Sequence, residues 1–257
     1  MIDKSIKKFE IEKYNSKTVI GEFSGRDSVA AIMKAFEKYD YILPIASFAG
    51  TEYGDYNIIY ENYLKTKEIV NKRYKGKKTL YPLIEYNDFE LWKVLNGRVM
   101  TLLIKKYDFF TPCIGCHLYF HLTKIPFARN LSKIILSGER ESHDGKKKIN
   151  QLGKSLDAYQ KVIKKSNCQL EMPIRKVYDG QVINDLIGYK WEEGKSHPSC
   201  VLSGNYRDIN YKTIYDNKRL DKFLNDFLIP AGKIIVNYLE KNENSFKKLE
   251  KRILDII

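Results

Sequence analysis

The stretch TVIGEFSGRDSVAAIMKAFEKY, residues 18–39, sets the reading of this chain. Thr18-Val19-Ile20 reads as a short strand, Ser24-Gly25-Arg26-Asp27-Ser28 as a turn, and Val29 to Tyr39 as a helix. Such a junction is an anion site: the first N–H groups of the helix lack intrahelical acceptors, the helix dipole is positive there, and small residues let the backbone close around an oxyanion. Phosphate is the natural guest.

Outward from this junction, strand-like and helix-like segments alternate. Tyr41 to Phe48 reads as a second strand, Lys78 to Ile84 as a third, Lys133 to Gly138 as a fourth and Gln169 to Ile174 as a fifth. Helices are predicted from about Ile58 to Arg73, Phe89 to Lys106, Leu118 to Leu131 and Asn150 to Lys165. The alternation predicts an α/β fold with a doubly wound, mainly parallel five-stranded sheet, whose ligand sits beyond the carboxyl ends of the strands. Ser24 to Ser28 and Gly138 to Gly145 both fall at such ends. From Asp216 the apolar positions Leu220, Phe223, Leu224, Phe227 and Leu228 recur at helical spacing, Pro230 interrupts, and Ile234 to Ile257 resumes. The expected organisation is an α/β domain over 1–215 with a C-terminal helical extension over 216–257.

The 257 residues carry 45 Lys plus Arg against 32 Asp plus Glu, a net charge of +13. An excess of this size favours a polyanionic partner, RNA above all, through release of condensed counterions. Genome composition or thermal adaptation, with Lys spread over solvated faces, explains it equally well. No run of about 18 apolar residues is present and the opening MIDKSIKKFEIEKY is charged throughout, so no membrane span or signal peptide is expected and a cytoplasmic protein is. In that compartment the four cysteines are read as thiols or ligands.

Pro112-Cys113-Ile114-Gly115-Cys116-His117 is the second strong signal. A C-x-x-C places two thiols on one turn, where they can share zinc, an iron–sulfur cluster or a disulfide. Cys200 or Cys168 is the next candidate ligand, and His117, His121 or His197 could complete a zinc tetrahedron. Against this stand inert thiols, Cys168 as a small core residue, and His121 as a packing histidine.

The loop has neither Walker A nor G-x-G-x-x-G spacing. It resembles the S-G-G-x-D-S loop of the PP-loop ATP pyrophosphatases: Gly25, Arg26, Asp27 and Ser28 match its last four positions, with Ser24 at the first Gly and Phe23 at the first Ser. Cys113, Cys116 and Cys200 reproduce the order of cysteines in the tRNA 2-thiolation branch, the 2-thiocytidine and 2-thiouridine synthetases, where three such residues bind a [4Fe–4S] cluster. Ser137 to Asp144 resembles that branch's G-H-x-x-D-D phrase, with His143 and Asp144 later than the pattern. The resemblance spans Val19 to Gly204 and implies a PP-loop/HUP-like fold.

It further implies ATP held by Ser24, Gly25, Arg26, Asp27, Ser28 and Gly138, with Asp27 orienting the loop or reaching Mg2+, and Arg26 offering its planar fork to a phosphate oxygen. The reaction implied is adenylation of a carbonyl oxygen with release of pyrophosphate, then displacement of AMP by sulfur. The metal ligands would be Cys113, Cys116 and Cys200. Without a cluster, Cys200 would bear a persulfide that Cys113 or Cys116 resolves, making Asp27, Cys200 and Cys113 the catalytic candidates. The expected partners are ATP, tRNA and a sulfur donor, with no membrane; a homodimer is allowed. The competing readings are an enzyme amidating or thiolating a small metabolite with structural Zn2+ at the cysteines, and a non-catalytic nucleotide-binding module.

Overall fold

A computed structural model describes residues 9–192, 195–241, 243 and 245–257. Its centre is a parallel sheet built from β1 (Val19–Glu22), β2 (Tyr41–Ala46), β4 (Thr79–Leu80), β5 (Ile84–Glu85), β6 (Ile134–Leu136) and β7 (Gln169–Glu171). The order is β4-β2-β1-β6-β7, with β5 also paired to β2. The third expected strand is thus realised as two short pieces on one edge. Pro82 lies between them, and a residue without an N–H cannot donate to the ladder.

Strand periodicity separates the core into two layers. Ile20, Leu43 and Ile135 face one cluster, while their neighbours Val19, Ile42 and Leu136 face the other. The first is covered by α3 (Phe89–Leu95), α4 (Met100–Tyr107), α5 (Pro112–Leu122), α7 (Gly153–Lys164), α9 (Asn217–Phe223), α10 (Ile229–Glu240) and α11 (Phe246–Leu254). The second is covered by α1 (Arg26–Ala35), α2 (Asn57–Tyr74) and α8 (Gly180–Ile187). Helices on both faces of a parallel sheet are the doubly wound arrangement. A two-stranded antiparallel ribbon, β3 (Glu52–Tyr53) with β8 (Ser199–Cys200), stands apart from the main sheet.

Three helical expectations are corrected. Phe89 to Lys106 is two helices, parted at Asn96 and Gly97, both poor helix formers. The helix expected from Leu118 to Leu131 begins instead at Pro112, a residue suited to a first turn, and ends at Leu122; Pro126 opens a separate turn, α6 (Ile125–Ala128). Pro230 does not interrupt the C-terminal helix: α9 passes through a π-helical turn, Leu224–Leu228, directly into α10. The wider turn absorbs the missing N–H. Leu220, Phe227, Leu228, Ile235, Leu249 and Ile253 are fully buried, and α10 packs on α7 and α5. Among the described residues no helix is long and apolar enough to cross a membrane.

Candidate active site

The direction of chain winding reverses between β1 and β6, and the crevice at such a reversal is where doubly wound sheets bind ligands. β1 leads into Ser24 to Ser28, and β6 leads into Ser137 and Gly138. Together they open on a cavity of about 280 Å³. Gly25 is the N-cap residue of α1 with no side-chain cap, so the first N–H groups of the helix are left to an external acceptor. The loop is held by its own hydroxyl: Ser28 Oγ accepts from Ser24 N at 2.8 Å and donates to Gly25 O at 2.7 Å. Gly138 lies against this helix start so closely that a Cβ there would sit 2.4 Å from Ser28 N.

Asp27 lines this cavity and joins a polar chain. Its Oδ2 accepts from Arg140 Nε at 3.1 Å and its Oδ1 from Arg26 Nε at 3.3 Å. Arg140 has no solvent exposure; it also donates to the carbonyls of Val177 and Tyr178 and to His143 Nδ1. His143 passes the chain to Gln151, which donates to Glu139 Oε2 at 2.6 Å. Burial, with Lys148 nearby, lowers the His143 pKa to about 4, so this imidazole is neutral near pH 7.

Glu139 is the hub of a second group. His117 Nδ1 lies 2.5 Å from Glu139 Oε1, and His121 sits between Glu22, at 2.5 Å, and Glu139, at 3.6 Å. Burial pushes the Glu139 carboxyl up, but His117 and His121 overcome that and hold it at about 2. Burial likewise opposes a charge on His121, and Glu22 outweighs it, so its pKa is raised. Lys124 is also fully buried in this wall; its Nζ donates to Ser47 Oγ at 2.6 Å and to Thr123 Oγ1 at 3.1 Å. Loss of hydration lowers its pKa to about 8. The cavity therefore has a polar, water-poor wall, in which charge is felt strongly.

The cysteines line a second cavity of about 180 Å³. Cys113 and Cys116 come from the first two turns of α5, and Cys200 from β8. Cys200 Sγ lies 3.2 Å from Thr51 Oγ1, and Cys113 Sγ 3.8 Å from the Leu202 carbonyl. Burial raises the thiol pKa of Cys113 and, further, of Cys116, which favours the protonated forms. Cys168 is buried in the core away from this cavity. All four cysteines are free thiols. Among the described residues no group of three or more His, Cys, Asp and Glu is arranged to hold a metal ion. His121 and His197 line the loop cavity; His117, Phe120 and Lys148 line both. The two cavities thus share a wall.

The structure brings Ser24, Gly25, Arg26, Asp27, Ser28 and Gly138, the residues expected at the loop, to one cavity and Cys113, Cys116 and Cys200 to the other. Sequence reasoning did not single out Glu22, Lys124, Glu139 or Arg140 as site residues. A signal for Lys124 was available: a lysine and a histidine three residues apart within the apolar HLTKIPFA are costly to bury and stay only with partners.

No family model matches the sequence. The chain is 44% identical over 239 residues to the uncharacterized protein MJ0009 of Methanocaldococcus jannaschii, an alignment covering 91% of this chain and 85% of that relative. The chain belongs to the family of that protein.

Proposed function

We propose that this chain is a PP-loop-type ATP pyrophosphatase that adenylates a carbonyl oxygen and then replaces it with sulfur, with tRNA as the substrate. The observation that carries this reading is the shared wall: a phosphate-type cavity at the switch point of the sheet abuts a cavity lined by three thiols. Adenylation and sulfur transfer need those two chemistries within reach of one substrate atom.

The N–H groups opening α1 take the ATP phosphates, and Gly138 leaves room for them beside Ser28. Both oxygens of Asp27 are already paired with Arg26 and Arg140. These contacts let the carboxylate orient the loop and leave each oxygen a lone pair with which it would reach Mg2+. The substrate oxygen attacks the α-phosphate and pyrophosphate leaves; sulfur then bonds to the activated carbon as AMP departs. The wall of Glu22, His121 and Glu139 would hold fixed charge beside the activated carbon.

A cluster keeps its thiolates apart on separate irons. Cys113, Cys116 and Cys200 line one cavity. They would hold a [4Fe–4S] cluster, which when bound supplies an iron without a protein thiolate where inorganic sulfur can be presented.

Anaerobic purification with absorption spectrum and iron and zinc analysis tests the cluster; stoichiometric zinc rejects it. Bulk tRNA should bind with an affinity that falls steeply with salt, and tRNA from a strain lacking the gene should lack one thiolated nucleoside. Binding no tighter than to an unrelated polyanion, with every thiolated nucleoside retained, transfers the proposal to a small-metabolite substrate.

A further inference from the structure

Among the described residues Lys148 is the one lysine lining both cavities, on the wall they share. Its backbone is extended and its carbonyl accepts from Gln151 N at 2.9 Å, so it enters a 3-10 turn, Ile149–Gln151, whose residues are all buried. Asn150 donates from that turn to His117 Nε2 at 2.8 Å, and Gln151 to Glu139. The base of the lysine is thus anchored on three sides.

Its head group is not. Among the described residues no carboxylate lies within ion-pair distance of the Lys148 ammonium and no acceptor within hydrogen-bond distance. The nearby charges act at longer range: Asp27 and Glu139 attract it, Arg140 and Arg207 repel it, and loss of hydration adds to the repulsion. Arg207 brings a second cation to the cysteine side. Its guanidinium lies 5.7 Å from the Tyr206 ring centroid and its Nε is buried without a hydrogen-bond partner. A partly desolvated cation held beside other cations, with no anion of its own, is the protein half of an anion site.

Resting on the adenylation reading above, we propose that Lys148 binds the α-phosphate of the adenine nucleotide, the phosphate through which AMP is joined to the substrate. The loop of Ser24 to Ser28 opens into one cavity only, whereas a phosphate linking nucleotide to substrate must face both. Lys148 is the cation positioned on both sides of that boundary. The ligand class is a nucleoside 5′-monophosphate, free or esterified to the substrate.

Titration calorimetry of the full chain with ATP, AMP and adenosine tests this, using the wild type, Lys148→Met and Lys148→Arg, each checked to be folded by a cooperative melting curve. Loss of a charge-assisted hydrogen bond should weaken AMP by at least about tenfold in Lys148→Met. Adenosine should be unaffected, and Lys148→Arg should retain most of the AMP affinity. Equal AMP affinity in Lys148→Met and wild type overturns the proposal while leaving the ATP site standing. Equal loss for AMP and adenosine also overturns it, since the lysine would then act through the shape of the wall. A wild type that binds neither ATP nor AMP removes the adenylation reading and the subsite with it.

Discussion

Replacing Lys124 by Met should make this protein more stable. Lys124 is 1% exposed and, among the described residues, its ammonium donates only to the hydroxyls of Ser47 and Thr123 and has no carboxylate within ion-pair distance. Loss of hydration lowers its pKa from 10.5 to about 8, with Glu22 pulling the other way. At about 1.4 kcal/mol per pH unit, keeping this group charged in the fold at neutral pH costs about 3 kcal/mol. Met has similar length and no charge. The hydroxyls it leaves behind keep other partners, since Ser47 Oγ also donates to the Tyr86 carbonyl and Thr123 Oγ1 to that of Phe120. A gain of about 1–3 kcal/mol is expected, or a rise in Tm of roughly 2–4 °C per kcal/mol for a chain of this size. The pH dependence carries the sign. A lysine whose folded pKa lies below its unfolded one binds fewer protons in the native state, so wild-type stability climbs as pH rises from about 8 to 10.5 and the advantage of Met shrinks over that window. Urea melts of both proteins at pH 7, 8, 9 and 10 measure it. A Met variant less stable than wild type at pH 7, with a gap that does not change with pH, refutes the reasoning.

Arg140→Met should destabilise by about 3–5 kcal/mol, because it strips Asp27, His143 and two carbonyls of a fully buried donor; urea unfolding reads this, and a loss under 1 kcal/mol contradicts the role given to Arg140. Gly138→Ala forces a methyl to within 2.4 Å of backbone at Ser28 N and should weaken ATP at least about tenfold by calorimetry, the helix start having to shift. Glu139 is ionised in the fold down to about pH 2, so the stability it confers is full above its ordinary value of 4.5 and vanishes as pH falls toward 2; Glu139→Gln should flatten the acid limb of a stability profile measured by circular dichroism. Serine at Cys113, Cys116 or Cys200 should each remove most iron from anaerobically prepared protein, whereas Cys168→Ser should keep it, since Cys168 lies in the core.

Local pattern alone determined the alternation of strands and helices and the position of the turn that opens α1. Apolar runs of strand length, bounded by turns and separated by helical periodicity, are short-range signals. They were legible at Val19–Glu22, Tyr41–Ala46 and Ile134–Leu136. The breaks were less so: Asn96-Gly97 and Pro126 divide helices at residues that favour a break without compelling one, while Pro230 favours one and the π turn before it removes the need.

Only the tertiary structure decided the wall. Glu22, His121, Glu139 and Lys124 come from the end of one strand, from a helix, from the loop after another strand and from the loop after that helix, up to 117 positions apart. Nothing local ties their charges together. A carboxylate at a strand end reads as a solvated residue, and a histidine in an apolar helix reads as packing, until the chain brings them to 2.5 Å with the histidine buried and the carboxylate mostly so. Burial turns ordinary side chains into a charged site, because the energy of an ion pair depends on the dielectric around it and sequence does not state that dielectric.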